Sequence, residues 1–306
     1  MIKASQSDAG AFVRAASFEL EEGYRDIRSN VSRQLSWDGT GYLAQVTANV
    51  VASNTIVVQG REAVEAPDKF IDVGLLVDIV TSGGVIQASA VEISAISGTG
   101  TTRTVTLNAA VTVSANSYLI QSGSLNNEIQ GLLTQLDGLT TTVFEIDRSL
   151  YPSTQGNVVN VGGGQLSLDI MQTAWNLGLN RGGAKYSASY CDFDTQRYYQ
   201  KLLTADKRYS NTIKGDGGFA QKDKNYLEWN GLPLVADKDC PQRLFFLPED
   251  ALKAYVLAEL EFADETGTMM IAQTGVDAFE VRIRLFMNLF NEKPSASAVI
   301  RNYISP

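Results

Sequence analysis

The chain has 306 residues, 44% of them hydrophobic, and no apolar run that could cross a bilayer as a helix, so it reads as a soluble globular protein with room for two domains. It has no histidine, which removes the usual general base near neutral pH, the commonest zinc ligand and every Ser-His or Cys-His nucleophile pair. A formal net charge of −9 without a cluster of Lys and Arg argues against nucleic-acid affinity as the main activity.

The first residues, MIKASQSDAGAF, lack the basic, apolar and small-residue pattern of a signal peptide, and synthesis in a cytoplasm is expected. From Asp8 to Leu35 the apolar positions Val13, Ala16, Leu20, Tyr24, Ile27, Val31 and Leu35 recur at steps of three and four. Glu19, Glu21, Arg25, Asp26 and Arg28 fall between them, which predicts a long amphipathic helix. Asp8 is its expected cap, and WDGTG from Trp37 to Gly41 its expected end.

Between Gly41 and Gly123 the helical period gives way to short β-branched runs: QVTANVV, NTIVVQG, KFIDVGLLVDIV, VIQASAVEISAI, TTRTVTLN and SYLIQS. Glycine and serine turns such as Ser82 to Gly84 and Ser97 to Gly100 separate them, and the spacing predicts a six-stranded antiparallel barrel or sandwich inserted into a host domain. From Leu125 to about Asp264 helices and strands alternate. Helices are expected in LSLDIMQTAWNLGL, TQRYYQKLLTADKRY and PEDALKAYVLAEL. In FEVRIRLFMNLF, residues Phe279, Val281, Ile283, Leu285, Met287 and Leu289 alternate with Glu280, Arg282 and Arg284, the period of a strand with one buried face.

Candidate chemistry is sparse. The stretch NVVNVGGGQLSLDI, Asn157 to Ile170, puts glycines before a helix, but no Gly-Lys-Ser/Thr follows and a dinucleotide fingerprint would need its third glycine at Ser167. Ser167 reads as the cap of the next helix. Asp137, Glu145, Asp147, Asp192 and Asp194 could form a carboxylate pair or a divalent-cation site, yet Asp192 and Asp194 lack the glycine and glutamate of a calcium loop, and a solvated surface is expected. Only Cys191 and Cys240 are present, each beside aspartates that disfavour a thiolate, so both read as reduced, unreactive thiols. The second lies in NYLEWNGLPLVADKDCPQRLFFLP, Asn225 to Pro248. An Asn-Gly turn, an extended Leu-Pro-Leu-Val, an acidic turn and the apolar LFFL give it hairpin grammar, with Cys240 packing or turning. No catalytic, cofactor-binding or metal residue is assigned.

Taken in order, these passages resemble the major capsid proteins of tailed bacteriophages, the Hong Kong 97-like capsid fold. The segments that carry the resemblance are DAGAFVRAASFELEEGYRDIRSNVSRQLSWDGTGYLA, EIDRSLYP at Glu145 to Pro152, EWNGLPLVADKDCPQRLFFLP, and the closing FEVRIRLFMNLFNEKPSASAVIRNYIS. The resemblance implies an α+β fold in four parts: residues 1–40 as the end of an extended loop and the spine helix of a peripheral domain, 41–123 as an inserted β-domain, 124–264 as the axial domain, and 265–306 as the return to the peripheral domain. Family members carry an N-terminal arm and an extended loop before the spine helix, whereas only MIKASQS precedes it here. The resemblance therefore implies a fragment, a processed product or a truncated reading frame that assembles poorly by itself. With that loop nearly absent, no lysine-asparagine crosslink pair can be matched.

The function so implied is structural and not enzymatic: copies gather into pentamers and hexamers that close into an icosahedral shell around packaged phage DNA. Implied partners are further copies of the chain, a scaffolding protein, a portal, a prohead protease and a decoration protein. DNA is enclosed without sequence-specific binding, no membrane is involved, and the location is the virion after assembly in the bacterial host cytoplasm. The alternatives are a phage tail or baseplate component, which inserted β-modules also suit, and a histidine-free metal-dependent enzyme.

Overall fold

The computed structural model describes residues 9–62, 65–138, 141–207, 227–249, 251–262, 271–272 and 279–306. The chain divides into two units, one formed by Met1–Trp37 with Ile129–Pro306 and the other by Asp38–Glu128.

The predicted long helix is α1, Ala9–Ser36. Leu20, Tyr24, Ile27, Val31 and Leu35 are half-buried while Glu19, Glu21, Arg25, Asp26 and Arg28 are exposed, so the amphipathic stripe is present as read from Leu20 onward; the side chains of Val13 and Ala16 lie outside the described ones. The helix ends where Trp37 N donates to Arg33 O at 3.2 Å, and Gly39 and Gly41 then turn the chain with φ of 76° and 81°. The expected cap, Asp8, lies outside the described residues.

The second unit is a closed six-stranded antiparallel barrel built from β1 (Tyr42–Val46), β2 (Val50–Gly60), β3 (Leu76–Val80), β4 (Ile86–Ser97), β5 (Thr102–Val113) and β6 (Tyr118–Gln121). Its strand order is β1-β2-β5-β4-β3-β6, closed by the pairing of β1 with β6. The alternation that predicted strands fills the interior: Ile56 and Val58, Val77 and Ile79, Val91 and Ile93, Val105 and Leu107 and Leu119 are all buried in one cluster. Two runs are cut differently from the sequence reading. QVTANVV straddles the turn between β1 and β2, and in KFIDVGLLVDIV only the last five residues form strand, after a 3-10 turn at Pro67–Lys69. Both ends of this unit approach one another, with Asn126 N donating to Thr40 O at 3.3 Å.

The first unit continues with α2 (Leu132–Leu136), the short hairpin β7 (Thr142–Val143) and β8 (Ile146–Asp147), β9 (Asn157–Gln165), α3 (Leu168–Gly182), β10 (Tyr186–Cys191) and α4 (Phe193–Lys207). Next come β11 (Leu227–Trp229), β12 (Leu232–Ala236), β13 (Leu244–Pro248), β14 (Leu252–Phe262), β15 (Ile271–Ala272), β16 (Phe279–Glu280), β17 (Ile283–Asn291) and β18 (Ala298–Ile304). Gly131 passes so close to the end of α1 that a Cβ there would strike the carbonyls of Gln34, Leu35 and Trp37.

A mixed six-stranded sheet, in the order β11-β12-β10-β13-β18-β9, is covered on both faces. Leu244 and Phe246 of β13 join Ala298 and Ile300 of β18 under Met171 and Ala174 of α3 and Tyr198 and Tyr199 of α4. The alternate residues Phe245, Leu247 and Val299 pack on the other face with Leu132 and Leu136 of α2. LFFLP is therefore apolar at successive positions because both faces of its strand are buried. Ser167 caps α3 as expected, its side chain accepting from Ile170 N.

One expected helix is a strand. From Leu252 the stretch PEDALKAYVLAEL belongs to β14, which pairs antiparallel with β17, Leu252 opposite Asn291 and Phe262 opposite Ile283. Ala, Leu, Lys and Glu favour helix by only tenths of a kcal/mol each, about 0.1–0.5, and the cross-strand ladder to β17 overrides that bias. The expected FEVRIRLFMNLF strand is interrupted at Val281 and Arg282, after which Ile283, Leu285 and Met287 are half-buried and Arg284, Phe286 and Asn288 exposed.

Candidate functional site

The acidic residues with potential for metal or acid-base chemistry lie apart. Asp137 is fully buried, its carboxylate between Arg243 Nε and Arg301 Nη1 at 3.1 Å each, and Arg301 also donates to the Asp137 carbonyl oxygen. This corrects the expectation of a solvated acid. Burial raises the Asp137 carboxyl above its ordinary value, with the two guanidiniums pulling it back. Asp192 accepts from the amides of Asp194 and Thr195 and from the Thr195 hydroxyl at the start of α4, a cap and not a ligand. Asp194 pairs with Arg197 at 2.7 Å, Asp147 accepts from Ser149, and Glu145 sits exposed in the β7-β8 turn. Among the described residues no three His, Cys, Asp or Glu side chains gather as a metal-holding group.

The cysteine passage is structural. Asn230 and Gly231, with φ of 49° and 79°, make the tight turn between β11 and β12, so the Asn-Gly hairpin is present as read. β12 does not pair with β13, however; β10 lies between them. In the Asp-Lys-Asp-Cys turn Asp239 N donates to the Asp237 carboxylate at 2.9 Å, and the Asp239 carbonyl accepts from the indole of buried Trp37 at 2.9 Å. The turn thus anchors the end of α1. Cys240 is buried in the α2 side of the core, and burial, followed by the charge of Asp192, pushes the Cys191 thiol well above its ordinary value.

Two features remain that the core does not explain. The first is the ribbon of β14 and β17, where Tyr255, Val256, Leu257 and Phe286 are 56%, 48%, 89% and 54% exposed. Leu257 sits at a break in register between Val256 and Ala258, which leaves it outside the ladder. A two-stranded ribbon is marginal alone, and its exposed apolar residues make it the candidate contact surface. The second is a cavity of about 330 Å³ whose walls include Val143, Phe144, Ile146, Arg148, Phe290 and Pro294.

EIDRSLYP forms one wall of that cavity. Phe144 and Glu145 make the β7-β8 turn with φ of 48° and 64°, a left-handed geometry that costs a non-glycine residue about 1–2 kcal/mol. The turn brings the Phe144 ring to 5.5 Å from Phe290. Arg148 is 3% exposed, and its Nη2 donates to Gln135 O at 2.6 Å, while Nη1 has no hydrogen-bond partner. Burial lowers the Arg148 guanidinium below its ordinary value. The sequence marked EIDRSLYP only by resemblance; with Asp147 beside Arg148 and Glu145 three residues before it, nothing local distinguishes this arginine from one paired at the surface.

No protein-family model and no curated protein matches the chain. Among solved structures it is similar to a cyanophage A-1(L) capsid asymmetric unit, at 15% identity and a TM-score of 0.45, over 58% of this chain and 61% of that one. It is also similar to the holo-SrpI encapsulin complex from Synechococcus elongatus PCC 7942, at 14% identity and a TM-score of 0.36, over 48% of this chain and 53% of that one. The match spans less than two thirds of the length of either protein.

Proposed function

We propose that the chain is a shell-forming subunit of the Hong Kong 97-like type, the major capsid protein of a tailed bacteriophage, whose copies associate through pentamers and hexamers. The observation that carries this reading is the apolar β14/β17 ribbon, which one aromatic contact joins to the long helix. Tyr24 of α1 meets Phe262 of β14, and Tyr255, Val256, Leu257 and Phe286 are left for a neighbour. Support also comes from the ordered resemblance of the sequence passages, and from the way the candidate acids are occupied: Asp137 in an ion-pair triad, Asp192 in a cap and Asp194 in a surface pair.

In this reading α1 and the β14/β17 ribbon form the peripheral part, and the six-stranded sheet with α3 and α4 forms the axial part. A boundary at residue 264 would part the two strands of the ribbon, so both are placed in the peripheral part, while β18 stays with the sheet. The barrel of β1 to β6 is an inserted module. Enclosure of DNA, and help from scaffolding, portal, protease and decoration proteins, belong to the same proposal.

The test is negative-stain imaging of the purified protein after concentration. Pentameric or hexameric rings, or closed shells, support the reading. Stacked rings or tubes would favour a tail component, which an inserted barrel also suits. Dispersed monomers would remove both.

A further inference from the structure

The antiparallel ladder gives the barrel two unlike ends. The turns at 47–49, 81–85 and 114–117 share one end, while the β2-β3 and β4-β5 connections share the other, where the chain also enters before Tyr42 and leaves after Gln121. The entry end is charged and paired: Arg61 with Asp38, Lys69 with Glu65 and Arg103 with Asp68. The turn end has no charge. Residues 46–58, 79–91 and 104–121, which supply its turns and the strand lengths leading to them, contain no Asp, Glu, Lys or Arg, in a chain that is 19% charged.

Apolar side chains stand out on that end, where Val51, Val85 and Ile86 are each more than half exposed. Val51 falls at the break in register between Val50 and Ser53, where Ala52 takes a left-handed φ of 47°, so it stands outside the ladder. Side chains tie the turns together. Gln87 Oε1 accepts from Ser114 N at 3.0 Å and from Ser117 Oγ at 2.8 Å, Asn49 Oδ1 accepts from Ala115 N at 2.7 Å, and Thr81 Oγ1 accepts from Val85 N at 3.1 Å. The surface is therefore held before any partner arrives, which lowers the ordering cost of contact.

The absence of charge selects the partner. Nucleic acid and strongly acidic or basic proteins are held by opposite charge, and this end offers none. For a second copy of the chain the same feature is favourable. Two chains of net charge −9 repel, and a symmetric contact sets each patch against its own likeness, so a charged patch would meet its own sign. The turn end can meet its likeness without that cost.

We propose that copies of the chain meet turn end to turn end, with Val51, Val85 and Ile86 of each packed on those of the other. Three apolar side chains are far fewer than the roughly 20–30 residues a side of a stable interface, so the contact is weak by itself. It gains effect where copies are already held together. That gain rests on the shell reading; the contact itself does not.

The experiment traps the contact with a short bis-maleimide in the full chain carrying Ser82→Cys. All chains also carry Leu257→Lys and Phe286→Lys, so association through the ribbon plays no part in the result. Cys191 and Cys240 are buried, which leaves the thiol introduced in the exposed 81–85 turn as the reactive one. Covalent dimer is expected at about tenfold or more above the yield from Thr99→Cys, an exposed site on the β4-β5 connection at the other end. Adding Val85→Glu, or Val85→Lys, should lower the yield to that of Thr99→Cys without changing the melting temperature. An equal mixture of the Val85→Glu and Val85→Lys chains should restore it as mixed dimer, because opposite charges then face one another across the contact. Equal yields from Ser82→Cys and Thr99→Cys would overturn the proposal and leave the turn end to an uncharged partner other than this chain. A yield unaffected by Val85→Glu, or no recovery in the mixture, would overturn it as well, the latter by placing a different surface of the chain against this end.

Discussion

Tyr24 of the long helix meets Phe262 of β14 edge to face, with ring centroids 5.2 Å apart and planes at 88°. Phe262 in turn stands opposite Ile283 of β17, so one aromatic contact ties the helix stripe to the β14/β17 ribbon. An edge-to-face pair contributes about 0.5–1.5 kcal/mol beyond the area it buries.

That contact predicts an asymmetry along α1. Ile27 lies on the half-buried stripe and Arg28 on the exposed face. Ile27→Asp should destabilise by about 2 kcal/mol or more, through lost burial and an unpaired carboxylate against apolar surface. Arg28→Ala should change stability by no more than about 0.5 kcal/mol. Urea midpoints measure both, and a larger loss for Arg28→Ala would show that the stripe is misassigned.

The Arg243-Asp137-Arg301 triad predicts a different hierarchy. Asp137→Ala removes the buried carboxylate that both guanidiniums share and should cost about 3–5 kcal/mol. Arg301→Met keeps the Asp137-Arg243 pair and should cost less. Chemical denaturation of the two variants checks the order. A milder effect for Asp137→Ala would mean that the aspartate is not the member on which the other two depend.

The barrel carries a pH signature. Burial alone would raise the Asp78 carboxyl, but hydrogen bonds from the amides of Ala90 and Gly123 and the hydroxyls of Ser122 and Ser89 bring it below its ordinary value of 3.8. A carboxyl depressed by folding stabilises the native state fully above its unfolded value, and the contribution fades as pH falls through the folded one. Asp78→Asn should therefore be less stable than the parent at neutral pH by about 1–3 kcal/mol, and the gap should narrow below the ordinary carboxylate value. A gap that stays constant into acid would contradict the assignment. Thermal melts across that range give the answer.

Residues 38–128, expressed alone, should melt cooperatively with a β-type circular dichroism spectrum, since the barrel closes on itself and has its own apolar interior. Asp38 accepts from both terminal nitrogens of Arg61, and Thr40 O accepts from Asn126 N. A fragment cut at 41–123 loses these ties and should be less stable by about 1–3 kcal/mol. Equal melting temperatures would show that the closing contacts contribute nothing.

Much of the architecture was legible because it is local. The helix stripe from Leu20 to Leu35, the alternation that lines the barrel, the Ser167 cap and the Asn230-Gly231 turn each follow from a few neighbouring residues. What escaped depends on distant partners. β14 is spelled in helix-forming residues and becomes a strand only because β17 supplies its ladder. Asp137 looked like a surface acid because its two arginines lie more than a hundred residues away in sequence. Arg148 gave no sign of being short of a partner, since an unpaired nitrogen is defined by what surrounds it.

The central claim is that the β14/β17 ribbon joins copies of this chain, and sedimentation velocity of the parent and of a Leu257→Lys, Phe286→Lys double variant across a wide concentration range tests it most directly. Both positions are exposed, so charges there leave the fold intact while opposing contact between apolar surfaces. The parent should shift with concentration from monomer to species of pentamer or hexamer mass, and the variant should remain monomeric with an unchanged melting temperature. A parent that stays monomeric throughout, or a variant that assembles as well as the parent, would contradict the account.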